Sequence, residues 1–353
     1  MRLLTTTLAA LLWLGASVHA ETLVGVAAPL SGPSAILGKQ IEAGTALAAD
    51  AEGVAVRTVD DACTADGGAA AARQFVDAKV NIVVGFLCTE AIEAALPILK
   101  DANIPVIAIG VRTESLTDRR AKTGWPVYRL GPGDDERNAV ATILTRLWQN
   151  ELFAVIDDGT IYGREIAETF RAAAEQAALK PVFVDTFRPQ LDNQIGLIGR
   201  LKKAGATKVF AGGDGDDIAI MGRDAASLNA GITFAGGETL RTTPGDVPYA
   251  AGTLMIALPE WAEVADPKVV QAFGERKIVT DGYTLPAYAA VEVAKAAAVD
   301  AESSGKPLAK TLTDHDFATA IGTVRFDEKG DLSQNPFRAF RFDGTHFVPL
   351  EEN

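Results

Sequence analysis

The chain has 353 residues with 33 basic and 46 acidic side chains, a net charge of −13. That acidity argues against a nucleic-acid or anionic-membrane partner, either of which needs basic patches. The length favours two domains over one.

Residues 1–20 read as an export leader. Arg2 supplies the positive start, "LLTTTLAALLWLGAS" the apolar core, and "VHA" a small-residue cleavage signal ending at Ala20. The run is too short to span a bilayer comfortably, and no Cys at the cleavage position offers a lipid anchor. No later segment is long and apolar enough to cross a membrane. The mature chain is therefore expected to begin at Glu21, soluble and exported, and one unit more negative for the loss of Arg2.

The first element is the apolar run "LVGVAAPL", a predicted strand, followed by "SGPSAILGKQ" and a helix over 38–51. A phosphate loop needs four residues between its glycines, then Lys and a Ser or Thr for magnesium. Here five residues separate Gly32 from Gly38, and Gln40 stands in the hydroxyl position, so nucleotide binding is not expected. A loop at the carboxyl end of a strand is still where open α/β sheets hold ligands.

Strands and helices then alternate. "VAVRTVDD", a helix over about 67–79, "NIVVGF", a helix over about 90–101 and "IPVIAIG" follow in order. The helices are alanine-rich and the strands rich in Val and Ile, as in βαβ units. Around 123–135 the pattern breaks into "TGWPVYRLGPGDD", a boundary signal. The cycle then restarts with a helix over 136–149, "LFAVIDD", a helix from Gly163, "PVFVDTF", a helix over 193–204, "TKVFAGG", a helix over 217–229 and "ITFAGG". "TLMIALPEW" opens a third section with helices near 267–277 and 284–303. The tail "VRFDEKGDLSQNPFRAFRF" reads as two strands joined by a turn. The pattern predicts an α/β chain of two similar lobes, each a parallel-type sheet flanked by helices, with a cleft between them.

Catalytic equipment is missing from this frame. His19 leaves with the leader, and His315 and His346 sit in polar late segments without a motif. There is no G-x-S-x-G, H-E-x-x-H or C-x-x-C. "AGGDGDD" is not a dinucleotide fingerprint, and its acids would repel a pyrophosphate. It reads as a turn in which Asp214 or Asp216 caps the next helix. "FDEKGD" lacks calcium-loop spacing and reads as a surface turn. Cys63 and Cys88, an even pair in an exported chain, are expected to form a disulfide. A metal site on them is not expected, since no His lies near either and two thiolates make a poor zinc site. No cofactor and no enzyme activity are expected; the residues point to binding.

The pieces "VGVAAPLSGPSAILGKQ", "VDDACTAD", "GFLCTEAI", "IPVIAIGVRTESLT", "VIDDGTIYGREIA", "VFAGGDGDD", "FAGGETL", "DGYTLPAYAAVEVA" and "FDEKGDL", in that order, resemble the type I periplasmic solute-binding proteins of ABC importers, in the Leu/Ile/Val-binding branch. The resemblance spans nearly the whole mature chain. It implies two lobes that close around a small solute and then dock on a membrane permease with its ATPase. It also implies a periplasmic location and a monomer. The lobes expected on this basis are 21–132 with about 259–335, and about 133–258 with 336–353, joined by a hinge. The Cys63–Cys88 pair matches the branch's disulfide.

Carried over by position, the resemblance places Thr89 where the family holds the ligand carboxylate with a hydroxyl at a helix start. Gly110 and Arg112 fall in the loop that grips the α-amino and α-carboxylate groups. Tyr162 matches a Tyr at the cleft edge, Glu238 the acid that pairs with the ligand ammonium, and Tyr283 an aromatic wall. Leu37 replaces a Trp over the ligand side chain. Arg112 replaces a Thr and Asp214 a Tyr, both charged changes in a cleft wall. Either they pair with each other as a latch, or Arg112 meets an extra acidic group of the ligand. The expected solute is an amino acid or similar small zwitterion. Alternatives are an organic or aromatic carboxylate anchored by Arg112, and an exported sensor subunit that hands its closed form to a membrane receptor.

Overall fold

A computed structural model describes residues 22–133, 135–242, 244–313 and 315–350. The expected leader and its cleavage point at Ala20 lie outside the described residues.

The first sheet is wholly parallel and runs in the order β2-β1-β3-β4-β5. Its strands are β1 (Leu23–Ala28), β2 (Ala55–Asp60), β3 (Ile82–Gly85), β4 (Val106–Ala108) and β5 (Val127–Arg129). Val24, Val26, Val83, Val84 and Ile107 are fully buried because helices cover both faces. One face packs on the helices Ala35–Glu52 and Thr284–Ser304, the other on Ala65–Ala78 and Thr89–Asp101.

The second sheet adds β6 (Phe153–Asp157), β7 (Phe183–Thr186), β8 (Lys208–Gly212), β9 (Thr233–Gly236) and β10 (Leu254–Ala257). Its parallel part runs β10-β9-β8-β6-β7, the strand order of the first sheet repeated. The hairpin β11 (Phe317–Thr319) and β12 (Gly322–Val324) belongs to the first lobe, where Phe317 and Val324 enter its core. The strands β13 (Arg338–Phe342) and β14 (Phe347–Pro349) extend the second sheet in antiparallel fashion beyond β10. Helices Glu136–Leu147 and Ile161–Gln176 cover one face of this sheet, Ile195–Lys203 and Gly215–Ser227 the other.

Two expectations are corrected. "GWPVYRL" is a strand as well as a boundary. β5 pairs with β4 through only three residues, too short a run to show alternation beside two prolines. The tail is not one hairpin. Val324 closes the β11–β12 hairpin of the first lobe, whereas Arg338–Phe342 pairs with β10 in the second. The chain therefore passes between lobes three times: after β5, after β10 and before β13.

Cys63 and Cys88 form a disulfide that ties the end of β2 to the start of the Thr89–Asp101 helix.

Candidate functional site

In a sheet of order 2-1-3-4-5, the loops at the carboxyl ends of the strands form the crevice. The expected site residues fall there almost without exception. Leu37 follows β1, Thr89 follows β3, and Gly110 and Arg112 follow β4. In the other lobe Tyr162 follows β6, Asp214 follows β8 and Glu238 follows β9. Tyr283 comes instead from the entry to the helix Thr284–Ser304.

Four of the eight converge on one cavity between the lobes. Gly110, Arg112, Glu238 and Tyr283 line a space of about 320 Å³. A Cβ at Gly110 would lie 2.3 Å from Leu87 and 3.0 Å from the Tyr283 ring, so glycine lets the ring approach the backbone. The Tyr283 N–H donates to Gln40 Oε1 at 3.1 Å, which couples this wall to the helix carrying Leu37. Leu37 itself stands at the exposed start of that helix, 36% exposed, outside the lining of the cavity. Lys39 is exposed, as on a solvated helix start.

Arg112 pairs across the lobes with Glu238, Nη1 to Oε2 at 3.8 Å. This corrects the latch alternative: Arg112 meets Glu238, and Asp214 is exposed at the start of the helix Gly215–Ser227 without a side-chain capping bond. Asp214 instead sits near the buried Asp217, whose carboxyl is pushed up by burial and by the neighbouring acids Asp214, Asp158 and Asp216.

The backbone under Arg112 is held by a residue the sequence did not single out. Arg129, 5% exposed at the end of β5, donates through Nη1 to the carbonyls of Arg112 (2.7 Å) and Thr113 (3.2 Å). Its guanidinium is paired with Asp331 at 2.7 Å, and Asp331 also accepts from Thr117 Oγ1 at 2.9 Å. The segment "FDEKGD" is thus more than a surface turn: its last acid anchors the loop that presents Arg112. A buried charge needs such a partner, and Arg129 has one. Thr89 opens its helix with its hydroxyl 2.8 Å from that of Thr113, so two hydroxyls meet at a helix start beside the Arg112 loop.

The facing wall belongs to the second lobe. Glu238 begins the turn Glu238–Arg241, and its Oε1 accepts from the Leu258 N–H at 3.1 Å. Its own N–H donates to Glu136 Oε1 at 2.6 Å, and Tyr162 Oη donates to the same oxygen at 2.9 Å. Burial and the Glu136 carboxylate push the Tyr162 phenol above its usual range, so it remains a donor. Gly237 leaves room for this pair: a Cβ would lie 2.2 Å from Glu136 Oε1 and 2.6 Å from Tyr162 Oη, so either side chain would have to shift. The sequence marks Glu136 only as the start of a helix; its place directly after the boundary at 123–135 is the one clue to its role. Trp261, Arg241 and Glu260 also line the cavity, and Arg241 is bonded to Glu260 and to the Leu258 carbonyl.

A cleft between two α/β lobes, with Arg112 and a hydroxyl pair on one wall and Glu238, Glu136 and the Arg241–Glu260 pair on the other, is equipped to bind a small polar solute. A periplasmic binding protein model matches residues 22–346. The chain belongs to the periplasmic binding protein family. It is 29% identical to the Leu/Ile/Val-binding protein homolog 3 of Brucella melitensis biotype 1, over 97% of each chain. It is 28% identical to the leucine-, isoleucine-, valine-, threonine- and alanine-binding protein of Pseudomonas aeruginosa, over 92% of this chain and 91% of that one. Its fold matches a putative branched-chain amino acid ABC transporter structure from Rhodospirillum rubrum with a TM-score of 0.75 at 19% identity, covering 94% of this chain and 100% of the other. Among the described residues of this periplasmic binding protein, no cluster of His, Cys, Asp and Glu is arranged to hold a metal, and no helix is long and apolar enough to cross a membrane.

Proposed function

We propose that the chain is the solute-binding protein of an ABC importer, exported to the periplasm, and that it takes an amino acid or similar small zwitterion between its lobes. The lobes in this reading are 21–132 with about 259–335, and about 133–258 with 336–353. They close as rigid halves and deliver the solute to a membrane permease and its ATPase; the chain works as a monomer and performs no catalysis. The observation that carries the reading is the meeting of Arg112 and Glu238 over one cavity with Gly110 and Tyr283. An amino acid carries two opposite charges that need opposite partners, and a cation beside an acid supports that reading. The amino-acid-binding names of the curated relatives support the same class. A thermal-shift screen of the purified mature chain against the amino acids and a set of small organic acids tests it. Stabilisation by at least one amino acid is expected. A chain stabilised only by solutes of another class, such as sugars, would refute it.

A further inference from the structure

One buried cation serves the solute cavity and the hinge at once, and its role rests on the solute-binding reading above. Arg129 ends β5, where the chain first leaves lobe one, and Asp331 stands on the turn before the last crossing. Arg129 Nε and Nη2 both donate to Asp331 Oδ1, at 2.8 and 2.7 Å, and the arginine side chain is only 6% exposed. The Arg129 N–H donates to the Gly330 carbonyl at 2.7 Å, so backbone and side chain both grip the turn. The two crossings touch again further on, Asn335 Nδ2 to Asp135 Oδ2 at 3.5 Å. The remaining guanidinium nitrogen, Nη1, holds the carbonyls of Arg112 and Thr113. Neither Arg129 nor Asp331 lines the solute cavity, whereas Gly110, Arg112, Leu130, Gly131 and Pro132 do. Gly131 and Pro132 also line a second cavity of about 410 Å³, shared with Arg129 and Asp331. The first crossing is thus a wall with space on both sides and room to move.

We infer that Arg129 is a positioning residue: clamped to Asp331 at the root of two crossings, it holds the Arg112 loop in register with the hinge, so that lobe movement and grip on the solute are one event. The chemistry suits arginine. A planar fork serves a carboxylate and two carbonyls at fixed angles, which a lysine ammonium on a flexible stem does not. Burial raises the cost of letting go, because an Arg129 released from Asp331 would be a charge without its partner in a dry site. The clamp therefore stays shut while the crossings bend, and the motion falls on the backbone to either side of it. The Arg112 loop, tied to the same guanidinium, moves with the crossing roots rather than independently of them.

Isothermal titration of the mature chain with leucine reads the grip; if the thermal-shift screen returns a better amino acid, that one replaces leucine. Arg129→Lys keeps a cation beside Asp331 and gives up the carbonyls of Arg112 and Thr113. It is expected to melt within a few degrees of the native chain yet to bind about tenfold more weakly, because the Arg112 loop is no longer placed. In an Arg112→Thr background the same change should cost less than about threefold, since the loop has lost what it presents. Hydrogen exchange reads the hinge. The amino acid should slow exchange over 110–118 and 330–337 together in the native chain, and over 110–118 alone in Arg129→Lys. Should Arg129→Lys fail to fold, Asp331→Asn, which keeps an acceptor for Thr117 and removes the charge, takes its place with the same expectations. Native affinity in the folded variant overturns the inference and leaves the solute-binding reading standing. So does a tenfold loss repeated in the Arg112→Thr background, which marks a general effect on the fold, or the same exchange response in native chain and variant. A native chain that binds no amino acid and no small acid overturns the inference and the parent reading alike.

Discussion

The first lobe brings to the cleft Arg112, the Thr89–Thr113 hydroxyl pair and the Tyr283 ring; the second brings Glu136, Glu238 and Tyr162. Both sets stand on loops at the carboxyl ends of strands in sheets of the same order. The repeated topology supplies equivalent positions, and the side chains then make the walls different: Arg112 with hydroxyls on the first, carboxylates with one paired arginine, Arg241, on the second. Support differs as well. Lobe one has a disulfide and the buried Arg129–Asp331 pair behind its wall, whereas lobe two relies on one carboxylate that accepts from a backbone N–H and a phenol at once.

The comparison can be broken most strongly in lobe one. Replacing Cys63 and Cys88 by Ser removes a cross-link between residues 25 apart in sequence. On the chain-entropy model this costs roughly 3 kcal/mol. Calorimetry should show the loss in lobe one first, with separation from the melting of lobe two. A single transition at the native temperature would mean that the bond is dispensable.

The acid wall is next. Glu238→Gln keeps the shape and the bond to the Leu258 N–H while removing the charge. With this side chain a quarter exposed, amino-acid affinity should fall by about 2 kcal/mol, the low end for a charge-assisted partner. Titration of the best solute from the screen measures it, and unchanged affinity would remove Glu238 from the ammonium site.

A third test concerns a half-buried acid away from the cleft. Glu292 accepts from the Ala320 N–H, which joins the long helix of lobe one to its β-hairpin. Burial, with Glu52 and Asp266 nearby, pushes its carboxyl up to about 7 from the ordinary 4.5. The folded state then holds a proton that the unfolded chain releases between those values. The contribution to stability is whole below about 4.5 and is lost as pH rises through about 7. Glu292→Gln keeps the acceptor and removes the charge, so it should stabilise the chain by roughly 2 kcal/mol at pH 8 and little at pH 4. Melting temperatures across that range decide the matter; a gain that is flat with pH would contradict it.

The smallest effect is expected at Gly237. Gly237→Ala drives a methyl into Glu136 Oε1 and Tyr162 Oη, so the acid wall must shift to admit it. A cost of about 1–2 kcal/mol in solute affinity is expected, with lobe one unaffected by hydrogen exchange. Wild-type affinity in this variant would show that the Glu136 contact does not position Glu238.

The sequence by itself determined the alternation of strands and helices, the two-lobe α/β class, the pairing of the only two cysteines and the family. These depend on local periodicity, residue type and ordered motifs, all of which survive in one dimension. It also marked the loops after β1, β3, β4, β6, β8 and β9, since each follows a readable apolar run. Tertiary structure alone decided who meets whom across the cleft. Arg112 faces Glu238 rather than Asp214, and Glu136 reaches the N–H of a residue 102 positions away. Arg129 and Asp331, a strand end and a turn 202 residues apart, together hold the Arg112 loop. Three-residue β5 and the split of the tail between two sheets were equally illegible. The physical reason is common to all of them: a polar contact between segments distant in sequence depends on how two packed lobes are placed relative to each other, and no local pattern of residues encodes that placement.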